Sequence, residues 1–172
     1  MNNIYFIGLM GAGKTTIGRL LAKQMGREFY DSDHEIERKT GVKIPLIFEL
    51  EGESGFRKRE TTAIDELSQL DNVIVATGGG AVLLQENRDY LKNTGKVIYL
   101  RAKVNDLYQR TRNDKSRPLL QGANPKQKLE QLYVARDPIY SALADYIVDT
   151  GAQSANEITS RIEQLLLEQA ES

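Results

Sequence analysis

The stretch GLMGAGKT, Gly8 to Thr15, decides how the rest of the chain is read. It fits the spacing G-x-x-x-x-G-K-[ST]. Glycines there let the backbone turn tightly and gather several N–H groups toward one point, the next helix adds its positive N-terminal end, and a lysine adds a full charge. Polyphosphate is the natural occupant. Upstream, Ile4, Tyr5, Phe6 and Ile7 form an unbroken apolar run of strand formers, as expected for a strand buried in a parallel sheet. Downstream, Ile17, Leu20, Leu21, Ala22 and Met25 recur at helical spacing, and Gly26 supplies a stop. The motif assigns Lys14 to the β- and γ-phosphates, the amides of Gly11, Ala12, Gly13, Lys14, Thr15 and Thr16 to the α- and β-phosphates, and the Thr15 hydroxyl to Mg²⁺.

The chain has 172 residues, which suits a single domain over 1–172 with a substantial core. A net charge of −1 with both signs scattered leaves no basic field for nucleic acid or an anionic membrane, so a small-molecule partner is expected. Without cysteine there is no disulfide frame, thiolate metal site or thiol nucleophile. No charged leader and no run of about 18 apolar residues is present, so the expectation is a cytoplasmic protein. Because no apolar stripe stands out, a monomer is expected.

Four further strand-like runs, at 28–30, 73–76, 97–100 and 146–148, alternate with helical patterns. That alternation implies an α/β fold with a parallel sheet, helices on both faces and ligands at the C-terminal edge. Asp31 and Asp33 come directly after the second run. In extended chain they point to the same side, one to hold a water of the Mg²⁺ shell and one to face a phosphate acceptor. Alternatively, Asp33 merely caps a helix beginning at His34. His34 itself is expected on the solvent side. Where many phosphate-loop proteins end a later strand in aspartate, this chain has Thr77, which makes Asp31 the candidate for the metal water.

Residues 42–55 suggest a short pocket-lining helix broken by Gly52 and Gly55. In the next stretch, GFRKRE, Arg57 and Glu60 stand three apart and can pair on a helix, although a solvated basic cluster is the plainer alternative. Gly78, Gly79 and Gly80 after the third run allow a ligand close to the backbone or form a flexible turn. The basic segment from Arg110 to Pro118 reads either as a solvated loop or as a lid with an arginine for phosphoryl oxygens. Arg136 precedes Pro138, a residue that breaks or kinks a helix, and points inward or stays exposed.

Taken together, GLMGAGKTT, FYDSD, GFRKRE, ATGGG, RPLL and RDPIY resemble the shikimate kinases in order and approximate spacing over almost the full length. The resemblance implies a P-loop NTPase fold with a five-stranded sheet in order 2-3-1-4-5 and a mobile lid over about 112–124. It implies ATP-dependent phosphorylation of the 3-hydroxyl of shikimate, with Mg²⁺. Asp33, Arg57, Gly79 and Arg136 fall on the family's shikimate-binding positions, in a region of about 32–60 together with the later residues, and Gly78 and Gly80 lie beside them. Arg117 falls on the lid arginine that contacts ATP, Arg110 resembles the residue stacking on adenine, and Gln153 lies in the loop that meets the base. The expected catalytic groups are Asp33, Lys14 and Arg117. A kinase for another polyhydroxy acid such as gluconate is the alternative. A GTPase-like switch would need an N-K-x-D motif that Asn113-Asp114-Lys115-Ser116 does not supply.

Overall fold

The computed structural model describes residues 2–114, 120, 122 and 124–171, except that nothing is said of the Glu171 side chain. Five parallel strands form one sheet in the order β2-β3-β1-β4-β5: β1 (Asn3–Ile7), β2 (Phe29–Asp31), β3 (Ile74–Ala76), β4 (Gly95–Arg101) and β5 (Tyr146–Asp149). The expected strand order is therefore observed. β1 lies between β3 and β4, with Tyr5 opposite Val75 on one side and Val97 on the other. Successive side chains of a strand point to opposite faces, and Ile4, Tyr5, Phe6 and Ile7 are all buried, so both faces of the sheet's centre are covered.

The covering helices are α1 (Lys14–Met25), α2 (Ser32–Thr40), α3 (Ile44–Ser68), α4 (Gln85–Thr94), α5 (Val104–Thr111), α6 (Pro125–Leu143) and α7 (Ala155–Glu171). α1 packs on α7 and α3 on α4. Gly26 ends α1 in the left-handed conformation that a stop glycine supplies. A smaller core of Ile36, Ile44, Ile47, Phe56 and Ala63 joins α2 to α3 beside the main one.

Several local expectations are corrected. Gly52 does interrupt α3, with φ 72° and ψ −179°, but Gly55 continues the helix. α4 forms from the polar run QENRDYLKNT, which no apolar stripe announces. In agreement with the long helical pattern over about 126–144, α6 runs through Pro138 as one helix. Among the described residues, no helix is long and apolar enough to cross a membrane.

The chain leaves β1 for β2 on one side, returns to β3, and then crosses to β4 on the other side. The crevice at the C-terminal ends of β1 and β3 is thus the switch point where such sheets take ligands. The loop after β1, the end of β2 and the glycine turn after β3 all arrive there.

Candidate active site

The glycine loop occupies that crevice. Gly11 and Gly13 have φ of 84° and 97°, which favours glycine, and a Cβ on Gly11 would come 2.9 Å from the Thr111 methyl on α5. The first backbone bond of α1 is from Ile17 N–H to Gly13 O, so the amides of Lys14, Thr15 and Thr16 stand ahead of the helix's own hydrogen-bond ladder. Ala12 N–H donates to Leu9 O at 3.2 Å and closes the loop. Lys14 Nζ bonds the carbonyls of Gly8 and Leu9, folding its charge onto the cradle. Arg110 reaches over from α5 and donates to Gly11 O at 2.9 Å.

Asp31 ends β2 and caps α2. One carboxylate oxygen accepts from the amides of Asp33 and His34, at 2.9 and 3.2 Å, and the other accepts from Thr15 Oγ1 at 2.8 Å. The capping role open to Asp33 in the sequence therefore belongs to Asp31. α2 begins at Ser32 rather than at His34, so the two aspartates are not neighbours on one extended strand. Asp33 sits in the first helical turn and lines the cavity, as does the exposed His34. Thr77 is buried and spends its hydroxyl on Phe6 O at 2.9 Å.

The turn Gly78-Gly79-Gly80 assembles the other half of the site. A Cβ on Gly78 would lie 2.8 Å from both Asp33 Oδ1 and Glu60 Oε2. A Cβ on Gly79 would lie 3.5 Å from Arg136 Nη1 and 3.7 Å from both Gly8 O and Met10 N of the phosphate loop. On Gly80 it would fall 2.2 Å from Arg57 Nη2. Three consecutive backbone positions thus touch three functional side chains, and the middle one also touches the cradle. Gly78 N–H donates to the buried Ser32 Oγ at 3.0 Å, tying the turn to α2.

Arg57 is not part of a solvated cluster. Its side chain is 12% exposed, donates to Glu60 at 2.8 Å and Glu53 at 3.2 Å, and lies 5.3 Å from the centre of the Phe56 ring. Glu60 is buried; desolvation raises its carboxyl above the usual range, and Arg57 and Arg136 offset only part of that. Arg136 is only 4% exposed, which decides its direction: inward. Its Nη1 has no hydrogen-bond partner among the described residues.

One cavity of about 690 Å³ is lined by Gly11, Ala12, Gly13, Lys14, Thr15, Thr16, Arg110, Asp31, Asp33, Arg57, Gly78, Gly79, Gly80 and Arg136. Gln153 is not among its lining residues; its Oε1 accepts from Arg161 Nη1 at 2.8 Å. Arg117 and most of the expected lid lie outside the described residues. Sequence spacing marks Glu60 only as a helical pairing partner, yet it is the buried anion between the arginines. Phe48, in the stretch expected to line a pocket, packs with Phe56 at 4.9 Å between ring centres and adds an apolar wall. The i, i+3 spacing is the signal for Glu60; nothing in the local pattern marks its burial.

A phosphate cradle at the edge of a parallel sheet, opening into the same cavity as a carboxylate and two guanidinium groups, defines a small-molecule kinase of the P-loop class. The shikimate kinase family model matches residues 10–167. The chain is 61% identical over 158 residues to a shikimate kinase of Thiobacillus denitrificans, covering 92% of this chain and 86% of that one. It is 58% identical over 160 residues to one of Burkholderia lata, covering 93% and 87%. A solved shikimate kinase from Acinetobacter baumannii in complex with shikimate superposes with a TM-score of 0.96 at 53% identity, covering 98% of this chain and 94% of that one. The chain belongs to the shikimate kinase family.

Proposed function

We propose that the protein transfers the γ-phosphoryl group of ATP to the 3-hydroxyl of shikimate, releasing ADP and shikimate 3-phosphate. The observation that carries this reading is the glycine turn, which Asp33, Arg57 and Arg136 all abut and whose middle residue meets the phosphate loop. Shikimate is a small ring with one carboxylate and three hydroxyls. A guanidinium forks onto two carboxylate oxygens, so Arg57 and Arg136 suit its acid group. Glu60 keeps Arg57 from collapsing elsewhere and leaves the guanidinium edge in the cavity. Asp33 suits the reacting alcohol: it orients the oxygen and accepts its proton as the O–P bond forms and the bond to ADP breaks.

On the nucleotide side, the helix-heading amides and Lys14 receive the phosphates. Anionic oxygens replace the Gly8 and Leu9 carbonyls as partners of Lys14 Nζ. Arg110 stands at the outer side of the loop for the base, and Gln153 is proposed at the far side of it. Arg117 is proposed to come onto the transferring group as the lid closes, which would exclude water from a reaction that otherwise wastes ATP.

The donor set fits Mg²⁺. The Thr15 hydroxyl and the Asp31 carboxylate are in contact at the head of α1, oxygen ligands of the kind this ion takes, with Asp31 acting through a water. Mg²⁺ there would neutralise charge on the β- and γ-phosphate oxygens. Thr15 and Asp31 keep each other oriented, so Asp31 serves both as helix cap and as outer partner of the ion. We read the protein as a cytoplasmic monomer.

The reading is tested by coupled ADP release with shikimate, gluconate and AMP as acceptors. Shikimate is expected to support turnover far above the others. A preference for gluconate would move the protein to another polyhydroxy-acid kinase, and a preference for AMP would remove the acceptor site argued above.

A further inference from the structure

Tyr140 is fully buried on α6, one helical turn beyond Arg136, and its hydroxyl donates to the carbonyl of Gly79. Arg136 acts on the same hydroxyl electrostatically. Burial pushes the phenol up to about 12 even though Arg136 pulls it down, so it remains a donor throughout the neutral range. The ring packs on Tyr99 at 4.9 Å between centres, and the Tyr99 hydroxyl donates to Asp137 at 2.8 Å. Tyr140 does not line the cavity, but Gly79 and Arg136 do.

A phenylalanine would fill the same space. What the hydroxyl adds is a tie from α6 to the backbone carbonyl of Gly79, the turn residue against which the buried Arg136 guanidinium lies. Arg136 Nη1 lies over Gly79, buried and without a hydrogen-bond partner among the described residues. The carbonyl end matters equally, because holding Gly79 O sets the tilt of the Gly79–Gly80 peptide that faces Arg57.

We propose that Tyr140 is a positioning residue for the acceptor: its hydroxyl holds the glycine turn against the α6 face that carries Arg136 and so presets the grip on the acceptor carboxylate. The proposal rests on the reading of Arg136 as a carboxylate ligand given above. The i, i+4 spacing of Arg136 and Tyr140 places them on one helix face, and the turn between β3 and α4 supplies the third member.

The test is Tyr140→Phe, which keeps the ring and its contact with Tyr99, in steady-state kinetics of the full chain. Wild-type turnover of shikimate comes first, since its absence would overturn the functional reading itself. With that in hand, Tyr140→Phe is expected to raise the KM for shikimate about tenfold, the scale of one hydrogen bond, while the KM for ATP stays within about twofold. In an Arg136→Ala background the same change should alter kcat/KM for shikimate by less than about threefold, because the hydroxyl acts through the arginine. Tyr99→Phe, which removes a neighbouring buried hydroxyl, should leave the shikimate KM within about twofold. An unchanged shikimate KM, equal losses for both substrates, or full additivity with Arg136→Ala would overturn the proposal and leave Tyr140 a core residue. Should Tyr140→Phe fail to fold, 3-fluorotyrosine placed at position 140 retains the hydroxyl and reports by fluorine NMR. A resonance shift on adding shikimate without nucleotide supports the coupling, and an unmoved resonance in protein shown to bind shikimate overturns it.

Discussion

Gly80→Ala isolates the claim that the glycine turn exists to admit side chains rather than to flex. The backbone at Gly80, φ −96° and ψ 5°, is open to alanine, so no torsional strain complicates the result. The new methyl would stand 2.2, 2.5 and 2.6 Å from Nη2, Cζ and Nη1 of Arg57. Restoring ordinary contact requires the guanidinium to retreat by more than about 1 Å. It has little room, because Glu60 holds it at 2.8 Å, Glu53 at 3.2 Å, and the Phe56 ring lies against it. A shift of that size breaks the Glu60 bond or misaligns the edge offered to the acceptor carboxylate. A hydrogen bond to a charged group is worth about 1.5–3 kcal/mol, so the KM for shikimate should rise roughly 10- to 100-fold. The assay is coupled ADP release with each substrate varied in turn, alongside a melting curve to show that the variant folds. ATP should keep its KM within about twofold, since the new methyl meets Arg57 first, whereas the phosphate loop lies nearest at Gly79. A folded Gly80→Ala protein with wild-type shikimate KM would refute the packing argument.

Asp33→Asn should leave ATP affinity nearly intact and lower kcat by roughly 10²-fold or more, the usual scale for a lost general base; unchanged turnover would remove Asp33 from that role. Arg136→Ala should chiefly raise the KM for shikimate, and a variant in which only ATP binding suffers would show the acceptor side to be misplaced. Gly18→Ala puts a methyl 2.5 Å from Phe29 Cε1 where α1 crosses β2. It should cost about 1–3 kcal/mol of stability, or roughly 2–12 °C in Tm, with kcat unaffected once folded; a melting curve unchanged from wild type would mean that Phe29 moves aside freely.

The sheet is legible in the sequence because its signals are local. A buried parallel strand reads as an unbroken apolar run, and the glycine motif dictates the tight turn and the helix after β1. Strand order is not local and comes from family resemblance. α4 escapes notice because a polar helix that buries only Asn87 and Leu91 carries almost no periodic apolar signal. Gly52 and Gly55 look alike in sequence, but only Gly52 takes a left-handed φ; which of two glycines turns the chain depends on what the helix halves pack against. The candidate site divides in the same way. Motif spacing places Lys14 and Thr15, whereas the roles of Asp31 and Asp33 hinge on where α2 begins, a boundary of one or two residues. That Glu60 is buried between arginines, and that Gly78, Gly79 and Gly80 each abut a different charged side chain, depends on contacts between α2, α3, α6 and the turn that no linear pattern encodes.

The most direct check is phosphorus NMR of the product made from ATP, Mg²⁺ and shikimate. The account predicts ADP together with one new phosphate monoester coupled to the proton on the ring carbon bearing the 3-hydroxyl. Inorganic phosphate in its place, or an ester at another hydroxyl, would contradict it.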